Sequence, residues 1–96
     1  MIITLSKFGT TLTSRQTGRE AFAAFQPVLK EIKPDENVEV DFSGVITFAP
    51  SWGDEFLRPL FEQYKDKLIL RNTENLSVQA TLDILEKIGG IKFNVV

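Results

Sequence analysis

Apolar residues along this chain repeat with two different spacings, and the spacings take turns. Four short segments alternate apolar and polar residues with a period of two. They are Ile3 and Leu5 against Thr4 and Ser6; Val38, Val40 and Phe42 against Glu39 and Asp41; Leu68 and Leu70 against Lys67 and Arg71, with Ile69 between them; and Ile91, Phe93 and Val95 against Lys92 and Asn94. That period sends successive side chains to opposite sides of an extended backbone, so each segment is expected to be a strand with one buried face. Between them run three segments with steps of three and four. From about Arg15 to Ile32 the stripe is Ala21, Phe25, Val28, Leu29 and Ile32; from about Trp52 to Tyr64 it is Phe56, Leu57, Leu60, Phe61 and Tyr64; from about Ser77 to Ile88 it is Val78, Leu82, Leu85 and Ile88. Such steps cover one face of a helix.

The order is therefore β-α-β-α-β-α-β. Strands separated by whole helices are joined by crossovers, which favours parallel neighbours with right-handed connections. The clean alternation of the second and fourth strands places helices on one face only. The expected fold is a two-layer α/β domain: a mostly parallel four-stranded sheet with three helices on one face. Gly89 stands where a left-handed cap would close the third helix. Pro27 and Pro59 fall inside the first two helical stripes, where each removes a backbone donor and is expected to kink its helix.

No linker-like stretch divides the 96 residues, so 1–96 reads as a single domain, and a hydrophobic fraction of 43% suffices for one core. A net charge of −2 argues against a nucleic-acid partner. The dispersed Lys and Arg make no polybasic run for a membrane surface. Short apolar runs span no bilayer and show no signal peptide, so a cytoplasmic location is expected. The chain has no Cys and no His. Thiolate chemistry and thiolate metal sites are thereby excluded, and the commonest general base and zinc ligand are missing. No enzymatic activity, metal or cofactor is expected.

One stretch carries a resemblance. Val40-Asp41-Phe42-Ser43-Gly44-Val45 ends a strand, and Phe48-Ala49-Pro50-Ser51-Trp52-Gly53-Asp54-Glu55-Phe56 opens an amphipathic helix. The pattern resembles the STAS domain, a family of sulfate transporters and anti-sigma factor antagonists. It is most similar to the shortened STAS-like variety, in which Arg-x-x-Gly opens the first helix and Ser-aromatic-x-Asp-Glu the second. Arg15 with Gly18, and Ser51 through Glu55, occupy those places, and the likeness runs from about Leu5 to Ile88. The resemblance implies a bacterial regulatory module that docks to an anti-sigma factor or to a histidine-kinase-like ATPase, with Ser51 as phosphoacceptor. The antagonists usually carry Asp-Ser-Ser-Gly before the helix. Here Ala49, Pro50, Ser51 and Trp52 stand there, and only Ser51 matches.

The residues themselves allow other readings. Ser51, three residues before Asp54, has the spacing of a helix N-cap accepting from the Asp54 N–H, which contributes about 1 kcal/mol. Trp52, the only Trp, suits either the core or a partner interface, with the core favoured because Gly53 beside it permits close packing. The loop from Gly9 to Glu20 is rich in hydroxyls, carries Arg15 and Arg19, and contains two overlapping capping boxes, Thr13 to Gln16 and Thr17 to Glu20. It could hold a nucleotide or other anion, so an anion-sensing module is the alternative function. The carboxylates Asp35, Glu36, Glu39 and Asp41 leave a carboxylate enzyme as a weaker third reading, against a solvated sheet face.

Two expectations follow for the surface. At least one sheet edge lacks a partner, and is short, charged or paired with a second copy as a homodimer. The Arg15 and Ser51 loops both leave the C-terminal ends of strands. If the first two strands are parallel neighbours, Arg15 or Arg19 approaches Ser51. The partner-binding rim is then Arg15, Arg19, Trp52, Asp54 and Glu55.

Overall fold

A computed structural model describes residues 1–96. Its main sheet has four strands, all parallel: β1 (Ile2–Thr4), β3 (Val38–Asp41), β5 (Leu68–Arg71) and β6 (Asn94–Val95), in the spatial order β1-β3-β5-β6. The register pairs Val38 with Leu68 and Val40 with Leu70, so all four side chains share one face, where they are buried. Glu39, Asp41, Ile69 and Arg71 lie on the other face, which no helix covers. The expected two-layer architecture is what forms. Both outer strands are short, three residues in β1 and two in β6. At the β6 edge the Glu86 carboxylate accepts the Phe93 N–H at 2.8 Å, which guards one donor beside that edge.

A second sheet is not expected from the sequence. β2 (Thr11–Leu12) and β4 (Thr47–Phe48) pair in parallel, Leu12 opposite Phe48. The expected first strand through Ser6 stops at Thr4, because the chain turns into a 3₁₀ helix at Leu5–Phe8. The second strand likewise leaves the sheet after Asp41 in a turn where Gly44 takes φ +82°, with a Cβ there meeting the Ser6 Cβ at 3.3 Å. Both segments swerve together and then pair again, with the Thr10 carbonyl accepting from Ile46 and Thr47 and the Leu12 carbonyl from Ala49. The fourth strand is also shorter than expected. Ile91 lies outside it, and Val95 is 48% exposed because nothing covers its end.

Three helices follow: α1 (Arg15–Leu29), α2 (Pro50–Tyr64) and α3 (Leu76–Gly89). Their boundaries correct several expectations. Neither capping box is used in α1. Ser14 is the N-cap and its hydroxyl accepts the Thr17 N–H at 3.1 Å. The helix ends at Leu29, short of Ile32. α3 is capped by Asn75, which accepts the Val78 N–H, and its left-handed cap is Gly90 at φ +61°, one residue beyond Gly89. Both α1 and α2 run on past Pro27 and Pro59. No helix is long and apolar enough to cross a membrane.

The core joins the strand residues to Leu5, Leu12, Leu29, Phe42, Phe48, Trp52, Phe56, Leu57, Leu60, Val78, Leu82 and Leu85. Trp52 and Phe56 stack at a centroid separation of 4.9 Å, and Phe8, Phe22 and Phe25 pack around Phe56. Two glycines set how closely the helices approach. A Cβ on Gly18 would stand 2.8 Å from the Trp52 carbonyl oxygen, so α1 crosses α2 against its backbone. A Cβ on Gly53 would meet Leu85 at 2.9 Å and Phe48 at 3.1 Å, which seats α3 against α2. The Ile88 position of the third stripe turns outward instead and is 71% exposed.

Candidate functional site

The small β2–β4 sheet decides what meets at the top of the domain. Its two strands are parallel and adjacent, and each ends two residues or fewer before a helix, so the first turns of α1 and α2 lie side by side. The absence of a side chain at Gly18 then lets α1 lie directly on the first turn of α2. Arg15, one turn before Gly18, is carried across to α2.

There it is held by charge. The Arg15 Nη1 donates to Asp54 Oδ2 at 2.8 Å and to Glu55 Oε1 at 3.4 Å, and Arg19 Nη2 donates to Glu55 at 3.2 Å. Arg58, one turn further along α2, donates to Asp54 Oδ1 at 3.4 Å and pairs with Glu62 at 3.6 Å. Asp54 thus sits between two guanidinium groups. Hydrogen bonding to Arg15 is the largest reason its carboxyl titrates below the usual range, and the same contact raises the Arg15 guanidinium. The pairs are half in solvent, with Arg15 49% and Asp54 33% exposed, so they orient side chains more than they stabilise the fold.

The N-cap reading of Ser51 is not what forms. The helix begins with Pro50, whose fixed φ suits a first helical position, and the N-cap is Ala49, with no side-chain cap. Ser51 therefore lies inside the helix and does not receive the Asp54 N–H. Its hydroxyl makes no hydrogen bond within the chain, and no buried side-chain polar atom is left without a partner, so this hydroxyl is reached by solvent. It lines a cleft of about 290 Å³ with Arg15, Pro50, Asp54, Arg58, Leu85 and Ile88.

The remaining residues sort plainly. Arg15, Arg19, Asp54 and Glu55 are joined by ion pairs, and Arg15 and Asp54 share a cleft with Ser51, whereas Arg19 and Glu55 do not line it. Trp52 does not stand on the surface. It is 1% exposed beneath Gly18, because the α1–α2 crossing covers it, and as folded it offers a partner no area. Arg58, Leu85 and Ile88 were not singled out from the sequence. Arg58 had a signal, lying four residues after Asp54 and seven after Ser51 on one helical face.

The carboxylates of the second strand are engaged structurally. Glu39 receives Arg71 Nε at 2.7 Å. Asp41 accepts the Ser43 N–H at 2.9 Å and the Asn72 side-chain amide at 2.8 Å, and the same amide donates to Ser43 Oγ. The Asn72 bond is the main reason the Asp41 carboxyl is held below its ordinary value. The Asp-x-Ser-Gly run is therefore a clasp between the ends of β3 and β5. A separate groove of about 480 Å³ lies between α3 and β6, lined in part by Asp83, Glu86 and Phe93, and shares no residue with the rim.

A family model described as a STAS-like domain of unknown function, DUF4325, matches residues 26–78, more than half of the chain. The match takes in β3, β4, α2 and β5, and so includes the Asp41 clasp and Ser51 through Glu55. No curated protein and no solved structure matches.

Proposed function

The chain belongs to the STAS-like family DUF4325, and from that premise we propose that it is a regulatory protein-docking module whose working surface is the rim where α1 and α2 begin. Ser51 is its phosphoacceptor, and Arg15, Arg19, Asp54 and Glu55 are the residues a partner meets. Trp52 acts from beneath, holding the two helices at the distance that forms the rim.

The observation that carries this reading is the free Ser51 hydroxyl in a cleft shared with Arg15 and Arg58. The capping bond that would have explained this serine is not made. A partner of the histidine-kinase-like ATPase type would transfer the terminal phosphoryl group of ATP to it. The Ser51 oxygen bonds to phosphorus, the bond to ADP breaks, and the hydroxyl proton leaves to solvent. The product carries about 1.5 to 2 added negative charges at neutral pH. Those charges enter a site that already holds two arginines and lies in the first turn of a helix, where negative charge is favoured.

Anion sensing by the Arg15 loop has less support, because the cleft beside Arg15 is lined by Ser51 and by none of the loop's own hydroxyls. The docking role requires no reaction catalysed by the chain itself. The test is to co-express the protein with the genes that neighbour its own, then to map any added phosphoryl group by fragment mass. Phosphate on Ser51 that is lost in Ser51→Ala supports the reading. A chain that stays unmodified, or is modified only in the Gly9–Glu20 loop, contradicts it.

A further inference from the structure

Asp54 is held from two sides beside Ser51. It lies one helical turn after Ser51 and accepts hydrogen bonds from two arginines that come from different directions, Arg15 across from α1 and Arg58 from the next turn of α2. All four side chains line one cleft. Its volume of about 290 Å³ is on the order of ten water molecules, ample for a phosphoryl group. The two arginines are not equivalent. Arg58 has Glu62 as a second partner on its own helix, whereas Arg15 reaches α2 only through the carboxylates of the rim.

We propose that Arg15 reads the state of Ser51: it holds Asp54 in the unmodified chain and exchanges Asp54 for the phosphoserine once Ser51 is phosphorylated, while Arg58 remains on Asp54. The inference rests on Ser51 as phosphoacceptor and adds how the mark is registered. Guanidinium binds a phosphate dianion with two parallel N–H bonds, a stronger contact than the single bond Arg15 makes to the singly charged Asp54 carboxylate. Arg15 is 49% exposed on a long side chain, so it can turn without moving α1. The exchange leaves Asp54 compensated by Arg58 alone, 3.4 Å away. The rim that a partner meets is thereby recast from a paired arginine–carboxylate surface to one dominated by a clasped phosphate and a less guarded Asp54.

The test installs phosphoserine at position 51 during translation, so that no kinase is needed. Phosphorus NMR then follows the second ionisation of the phosphate, ordinarily near pH 6, in the phosphorylated parent, Arg15→Gln and Arg19→Gln. Carbon-detected NMR follows the Asp54 carboxyl in the same chains and in their unmodified forms. The exchange predicts that the phosphate ionises roughly half a pH unit or more lower in the parent than in Arg15→Gln. Arg19→Gln should resemble the parent. It also predicts that Arg15→Gln raises the Asp54 titration more in the unmodified chain, where the direct bond is lost, than in the phosphorylated one. Equal phosphate titration in parent and Arg15→Gln overturns the proposal. So does an equal effect of Arg15→Gln and Arg19→Gln, which would mean a diffuse field instead of a contact, and so does a full Arg15 effect on Asp54 that survives phosphorylation. Because the phosphoserine is supplied, these outcomes stand whether or not a kinase for Ser51 exists.

Discussion

Replacing Gly18 with Ala adds one methyl group at the crossing of α1 and α2, and its cost can be worked from three distances. The new Cβ would lie 2.8 Å from the Trp52 carbonyl oxygen, 3.0 Å from its Cα and 3.2 Å from its Cγ. Favourable carbon contacts begin near 3.5 Å, so the helices must separate by roughly half an ångström. Two of the three obstructing atoms are backbone, and Trp52 itself is stacked on Phe56, so no flexible tip can swing aside. Overpacking typically costs about 1–3 kcal/mol, and with backbone atoms in the way this site falls in the upper part of that range, about 2–3 kcal/mol. Ala in a helix interior recovers about 1 kcal/mol relative to Gly. The net loss should be about 1–2 kcal/mol, which lowers the melting temperature of a domain this size by roughly 5–15 °C. Thermal and urea unfolding would measure it. The separation should also loosen Arg15 from Asp54, and the Asp54 carboxyl should titrate closer to its ordinary value. A Gly18→Ala protein as stable as the parent, or more stable, would refute the reasoning, because the overpacking cost would then be no larger than the helix-propensity gain.

Other substitutions probe separate parts of the account. Phe56→Ala removes the ring around which Phe8, Phe22, Phe25 and Trp52 pack and should cost about 3–5 kcal/mol in urea unfolding. Asn72→Gly keeps the left-handed backbone at φ 58° but removes the amide from Asp41 and Ser43, a loss of about 1 kcal/mol. Because the folded Asp41 titrates below its unfolded value, that clasp contributes above about pH 4 and is lost as the pH falls through the folded value. Stability should therefore decline less between neutral and acid pH in Asn72→Gly than in the parent; an equal decline would remove the clasp from the account. Lys65 closes α2 at φ 54° and ψ −123°, so Lys65→Gly should relieve about 1 kcal/mol of strain and raise the melting temperature; a fall would contradict this.

The sequence carried the framework of the fold because the framework follows from period. Val38, Val40, Leu68 and Leu70 alternate cleanly enough to fix both the strands and the helix-bearing face. The meeting of Arg15 with the start of α2 was also accessible, since it needs only parallel neighbours with short loops. The β2–β4 sheet was not, because two residues per strand are too few to show a period. Ser51 was misplaced as a cap by two residues. The serine spacing and Pro50 both mark a helix start, and Pro at the first helical position prevailed. Gly89 and Gly90 compete for one cap, and the second is the one in the left-handed region. Arg58 went unnoticed because its i, i+4 relation to Asp54 is common on any charged helix.

Whether charge at Ser51 changes docking is the most direct test of the rim as a working surface. Ser51→Asp, Ser51→Ala and the parent should each be titrated against a protein partner captured by the unmodified chain, with unfolding curves recorded alongside. Ser51→Asp should bind at least tenfold more weakly, a difference of about 1.4 kcal/mol, while Ser51→Ala binds like the parent and all three remain folded. Arg15→Ala should also weaken binding without unfolding the chain. Equal affinity across the set would mean that the partner does not meet this rim, and the proposed function would be wrong.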